Sequence, residues 1–112
     1  MNKQVVYINS DSLGQGDVEL GKKLLVVYLE TLLDFAGDIS HILLINSGVK
    51  LACDGSEVLG IFEELSGMDI KILACGTCLN HFGIMKTLKS GTVSNMFTII
   101  DVKTKSSRIL MP

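Results

Sequence analysis

Two hydrophobic rhythms alternate along this chain. Val5-Val6-Tyr7-Ile8, Ile42-Leu43-Leu44-Ile45 and the run from Ile70 to Ala74 are short, unbroken apolar stretches. They predict strands over residues 4–9, 41–46 and 70–74. Continuous apolarity without polar alternation predicts burial on both faces, as in a parallel sheet. Between the strands, apolar residues return at helical spacing. Leu20, Leu24, Leu25, Tyr28, Leu32 and Phe35 predict a helix over residues 17–36, with Asp17 and Glu19 in its first turn and Gly37 as its stop. Val58, Leu59, Phe62 and Leu65 predict a second helix, capped by Ser56 and ended by Gly67. Leu79, Phe82, Met85 and Leu88 mark a third. Met96, Phe97 and Ile100 mark a fourth, divided from the third near Ser90-Gly91 and capped by Thr92 or Ser94. Arg108-Ile109-Leu110-Met111 closes the chain as a last strand. The order β-α-β-α-β-α-α-β predicts one α/β domain over residues 1–112, with a parallel sheet and helices on both faces.

In an open parallel sheet, ligands bind outside the carboxyl ends of the strands. Those ends are polar or glycine-rich here. The first offers Asn9, Ser10 and Asp11; the second Asn46, Ser47, Gly48 and Lys50; the third Cys75, Gly76, Thr77 and Cys78. The three stretches are expected to meet at one edge, each leading toward a helix N-terminus where free N–H groups favour an anion. Gly14-x-Gly16 follows the first strand, but Glu19 stands where a dinucleotide-binding G-x-G-x-x-G has its third glycine, and no P-loop is present. A plain helix-entry loop accounts for those glycines. A solvated loop residue accounts for Lys50, although it could pair with an anion.

Composition narrows the classes. The chain has 112 residues, 47% hydrophobic and 20% charged, with a formal net charge of −2. That is the size and balance of one globular domain with its own core. No basic cluster exceeds Lys22-Lys23, which argues against nucleic-acid binding. No apolar stretch has membrane-spanning length, and the polar N-terminus leading into a strand is unlike a signal peptide. The expected location is cytoplasmic, where thiols stay reduced. Mean hydropathy is +0.43, high for so small a chain, which suggests apolar surface to hide in a homo-oligomer.

Three cysteines are present, and two of them, Cys75 and Cys78, stand three residues apart where the third strand ends. Structural zinc wants four ligands. His81 is nearby, but Cys53 and His41 lie on other elements and no second pair exists at ligand spacing, so no metal is expected. The C-x-x-C spacing permits a reversible disulfide, yet the chain lacks tryptophan and its one proline is Pro112, unlike a thioredoxin-type site. A nucleophile or sulfur carrier is the third option: a thiolate at a strand end can attack a sulfur donor and hold a persulfide. The bland alternative is core packing, which is preferred for Cys53 and remains open for the pair. His81 reads as a solvated or capping residue.

Four blocks carry a family resemblance: NSDSLGQGDVELG at 9–21, INSGVKLACDGSEVL at 45–59, ILACGTCLNHFGI at 72–84 and VSNMF at 93–97. In this order they resemble the DsrE/DsrF-like family, most nearly the C-terminal domain of YedF-type proteins, often labelled selenium-metabolism proteins. The resemblance covers nearly all of the chain. It implies a three-layer α/β/α fold with a mostly parallel, flavodoxin-like wind, and oligomers. It implies sulfur (possibly selenium) transfer without a cofactor, between sulfur-donor and sulfur-acceptor proteins of which a TusA-like protein is one possibility. Sulfur-transfer members carry a cysteine in the loop after this strand and a glycine eight residues later, here Cys75 and Gly83; Cys78 matches the second cysteine of the C-G-T-C variant. Ser94 and Asn95, in the fourth block, join the expected ligand-binding set. Sulfur-relay members often have Arg before that glycine, where this chain has Phe82. YedF-type proteins usually begin with a TusA-like domain, which these residues do not include. The competing expectation is a non-enzymatic ligand-binding or assembly module in which the cysteines are incidental.

Overall fold

The computed structural model describes residues 3–112. Five parallel strands lie in the order β4-β3-β2-β1-β5. They are β1 (Gln4–Ile8), β2 (Ile39–Leu44), β3 (Lys71–Cys75), β4 (Thr92–Ser94) and β5 (Ile109–Leu110). The connecting helices are α1 (Val18–Leu32), α2 (Leu59–Gly67), α3 (Gly76–His81) and α4 (Met96–Lys105). This is the α/β fold with a parallel sheet that the alternating pattern implies. Right-handed crossovers place α1 and α2 on one face. They place α4, which carries the chain back across the sheet to β5, on the other; Lys103 of α4 lies 3.9 Å over the Tyr7 ring.

The strands read as unbroken apolar runs because both faces are covered near the sheet centre, and one face is fully sealed. Register aligns Val6, Ile42 and Ile72 in one row, and Ile8, Leu44 and Ala74 in the next. All six are at most 3% exposed. Burying a Val, Leu or Ile side chain contributes about 1.5–3 kcal/mol, so these rows anchor the core. The opposite face carries buried Val5, Leu43 and Cys75 but also half-buried Tyr7, His41 and Leu73 and exposed Lys71. A single ten-residue helix covers it.

Several elements differ from expectation, each for a local reason. The buried stripe of α1 is Gly21, Leu25, Leu29 and Leu32, whereas Leu20, Leu24 and Phe35 are exposed. Both sides of the helix are apolar, and close packing of Gly21 under Ser12 and Leu13 chooses between them. Asp17 is the cap itself, accepting from the Leu20 N–H at 2.8 Å. The helix ends at Leu32 and tightens into a 3-10 turn, Leu33–Asp38, so Gly37 is not its stop. Ser56 accepts from the Val58 N–H in a turn that precedes α2 rather than capping it. Gly67 ends α2 as expected, and Asp69, at φ 67, takes the left-handed position after it. The chain over residues 79–88 is not one helix: α3 stops at His81 and a 3-10 turn, Met85–Thr87, follows. Thr92 and Ser94 belong to the edge strand β4, and the cap of α4 is Asn95, whose Oδ1 accepts from the Thr98 N–H at 2.9 Å. In α4 the buried residue is Ile99; Met96, Phe97 and Ile100 face outward.

The chain after β2 forms a 3-10 helix, Asn46–Ala52, so Asn46 lies outside the strand expected over residues 41–46. This helix is laid across the end of β1. The Ile45 N–H donates to the Ile8 carbonyl at 3.0 Å, and a Cβ on Gly48 would collide with that same oxygen. Gly48→Ala is therefore expected to cost about 2–3 kcal/mol, as over-packing against backbone does, measured by urea denaturation. An unchanged midpoint would mean the contact is looser than described.

Candidate functional site

The three polar strand ends do meet at one edge, joined by two hydrogen bonds. The Asp11 N–H donates to Ser47 Oγ at 3.2 Å, linking the first and second loops. The Asn46 N–H donates to Cys78 Sγ at 3.1 Å, linking the second to the cysteine segment. Asn46 reaches it by adopting a left-handed conformation, φ 53, which asparagine tolerates better than most residues.

Cys75 ends β3 and is 2% exposed; Cys78 lies one helical turn on and is half-buried. Cys75 is the titratable neighbour of Cys78. One sulfur therefore opens to solvent while the other stands behind it. Burial pushes the Cys78 thiol above its usual range. The hydrogen bond with Cys75 and the charge Cys75 would carry act in the same direction, and the Asn46 N–H pulls the other way without cancelling them. Cys53 is core, 3% exposed, with its thiol donating to the Val49 carbonyl.

A helix-end closure fixes the far side of the pair. After α3 the Ile84 N–H donates to the Leu79 carbonyl and the Gly83 N–H to Asn80, with Gly83 at φ 68. This is a Schellman closure, and it gives a physical reason for glycine eight residues after Cys75: the position is left-handed. Phe82, just before it, receives Lys50, whose ammonium sits 4.5 Å from the ring centroid, and His81 meets the same ring edge-on at 5.3 Å.

The remaining candidates divide. Gly48 is buried and its N–H is spent on the Ile45 carbonyl, so it supports the loop and offers no donor to an anion. Asn95 is occupied as a helix cap. Gly76 lies against the β4 backbone at Ser94, and Ser94 pairs with Cys75 in the sheet. Ser10 accepts from the Ser12 N–H, while Asn9 and Thr77 are exposed. Asp11 and Lys50 line a cavity of about 310 Å³ that also takes in Lys22, Asp54 and Glu57. Sequence reasoning missed Phe82 as the seat of Lys50 and Asn46 as the donor to a thiol; backbone conformation decides both. Among the described residues, no three His, Cys, Asp or Glu side chains gather as metal ligands do, and no helix is long and apolar enough to cross a membrane.

No family model and no curated protein matches the chain. Solved structures do. The chain is similar to the ychN protein from E. coli, with a TM-score of 0.69 and 16% identity over 100% of both chains. It is similar to MTH1491, a protein of unknown function from Methanobacterium thermoautotrophicum, with a TM-score of 0.73 and 21% identity over 100% of both chains. It is also similar to BT1422, a conserved protein of unknown function from Bacteroides thetaiotaomicron, with a TM-score of 0.64 and 18% identity, over 98% of this chain and 95% of that one. At such identities the likeness establishes the fold alone.

Native-state alkylation tests the geometry. With iodoacetamide and peptide mapping, Cys78 is expected to react well before Cys75 and Cys53. Its rate should climb with pH only above the range of an unfolded cysteine, because the folded state holds the thiol proton more tightly. By linkage, the stability this gives is present below the ordinary thiol pKa and is lost as pH rises through the raised one. A midpoint at or below that of the unfolded chain contradicts the site as described.

Proposed function

We propose that the chain carries sulfur as a persulfide on Cys78, with Cys75 as the resolving thiol. The observation that carries this reading is the arrangement of the pair: an open sulfur held by the Asn46 N–H, with a second thiol behind it. The family resemblance assigns the carrier role to the position of Cys75; the difference in exposure moves it to Cys78. In loading, the Cys78 thiolate attacks the outer sulfur of a donor persulfide. A bond forms between Cys78 Sγ and that sulfur, the donor S–S bond breaks, and the donor thiolate leaves with the electron pair. An acceptor thiolate takes the outer sulfur by the same step in reverse, with no net oxidation. Where no acceptor arrives, Cys75 attacks Cys78 Sγ, hydrosulfide leaves, and a Cys75–Cys78 disulfide remains.

Incubation with a persulfide donor, followed by mass spectrometry of trapped peptides, is expected to place a +32 Da adduct, about one sulfur atom, on Cys78. Cys78→Ser should abolish it. Cys75→Ser should prolong it, because the internal route to hydrosulfide is gone. An adduct on neither cysteine, under conditions that load a free thiol, removes the reading.

The donor and acceptor are read as proteins, and the working form as a homo-oligomer. Parallel sheets are ordinarily covered on both faces. Here one face has only α4 over it, and Met96, Phe97 and Ile100 of α4 face outward, with Phe97 81% exposed. A second copy of this chain is the occupant proposed, because the surface continues a sheet face that every copy leaves equally uncovered. Phe97→Asp is expected to shift the mass measured by light scattering toward the monomer while leaving the fold's circular dichroism intact. A wild-type chain that is monomeric at micromolar concentration rules the assembly out.

A further inference from the structure

The strand order marks a second place in this molecule where a ligand belongs. From β1 the chain steps through β2 and β3 to β4 in one direction, then returns to place β5 on the other side of β1. The order reverses between β1 and β5, and the crevice above such a reversal is where open α/β sheets take their ligands. A cavity of about 340 Å³ lies there, lined among others by Tyr7, Asn9, Ser10, Ser12, Gln15 and Pro112. That volume is at the small end of ligand pockets, about 300–1,000 Å³. The cysteines follow β3, two strands away, so the thiol chemistry leaves this crevice unused.

Its lining states what it would accept. None of the lining side chains is charged. Among the described residues, the amides of Asn9 and Gln15 have no hydrogen-bond partner, and each offers both a donor and an acceptor. Tyr7 also lines the cavity, and its ring carries the Lys103 ammonium at 3.9 Å. Leu13 and Leu25 complete an apolar wall. The helix that follows the loop does not provide a phosphate seat: Asp17 already fills its cap and Glu19 stands in its first turn, so two carboxylates guard the N-terminus. We propose that this crevice binds an uncharged, planar, hydrogen-bonding heterocycle of the nucleoside class, and that it discriminates against the corresponding nucleotide.

The test is a 15N-HSQC titration of the full chain with adenosine, guanosine, cytidine and uridine, and with their 5′-monophosphates. At least one nucleoside is expected to shift the amides of residues 7–15 and 111 with a roughly millimolar or tighter Kd, and its monophosphate to bind several-fold more weakly. Asn9→Ala with Gln15→Ala should weaken binding about tenfold, since the ligand's polar edge then goes unpaired; the spectrum of that variant reports whether it is folded. Cys75→Ser with Cys78→Ser should leave binding unchanged, which separates this site from the sulfur reading. Three outcomes overturn the proposal: no shifts at these residues near ligand saturation, shifts confined to the cavity beside Lys22 and Lys50, or a monophosphate that binds more tightly than its nucleoside.

Discussion

The geometry at the carboxyl edge rests on the close approach of the chain after β2 to the end of β1. The Ile8 carbonyl accepts from the Ile45 N–H and meets Gly48 with no room for a side chain. Three consecutive residues are positioned by that approach. Asn46 turns its N–H onto Cys78, Ser47 turns its hydroxyl to the Asp11 N–H, and Gly48 fills the space between strands. A single hydrogen bond contributes only about 1 kcal/mol net. Two such bonds converging on one rigid turn fix three loops relative to each other, which neither could do alone. On the far side the Schellman closure at Gly83 holds the other end of α3. The cysteine segment is clamped between a left-handed asparagine and a left-handed glycine.

The two thiols of that segment differ in reach rather than in chemistry. Cys75 completes a buried strand, and Cys78 is lifted one turn beyond it. Burial and then its neighbour Cys75 make the open thiol harder to ionise, and Lys50 is seated on the Phe82 ring. Because the thiolate is the reactive form, a raised pKa slows such a thiol toward oxidants.

Much of this was legible in the sequence where burial and periodicity coincide. Strands β1, β2 and β3 are apolar because both faces are covered near the sheet centre, and their limits fall within two residues of the runs that predicted them. The meeting of three polar loops followed from parallel topology alone. Other features were hidden for physical reasons. Edge strand β4 is three residues long and mostly exposed, so it carries no apolar run. The break at Gly83 depends on a left-handed backbone inside a stretch whose apolar spacing continues through it. Gly48, read as a ligand residue, spends its N–H on the Ile45 carbonyl, and Asn95, read likewise, spends its side-chain oxygen on the cap of α4. The inequality of Cys75 and Cys78 depends on which of them ends the strand, a shift of one residue from the expected limit.

The face of α4 shows why one misreading is informative. Met96, Phe97 and Ile100 have the spacing of a buried stripe, and the same stripe is exposed in the folded chain, with Ile99 alone turned inward. Hydrophobic periodicity records that a face is kept from water; it does not record which molecule covers it. On α1 and α4 the apolar residues exceed what one copy can bury, and this surplus contributes to a mean hydropathy of +0.43. On α4 the surplus lies on the face of the sheet that has least cover. Leu73 and His41, whose pKa is lowered by burial and then by Lys71, occupy that same face. β4, whose Ser94 pairs with Cys75, forms its open edge. The least covered face of the sheet therefore includes β3, the strand that Cys75 ends.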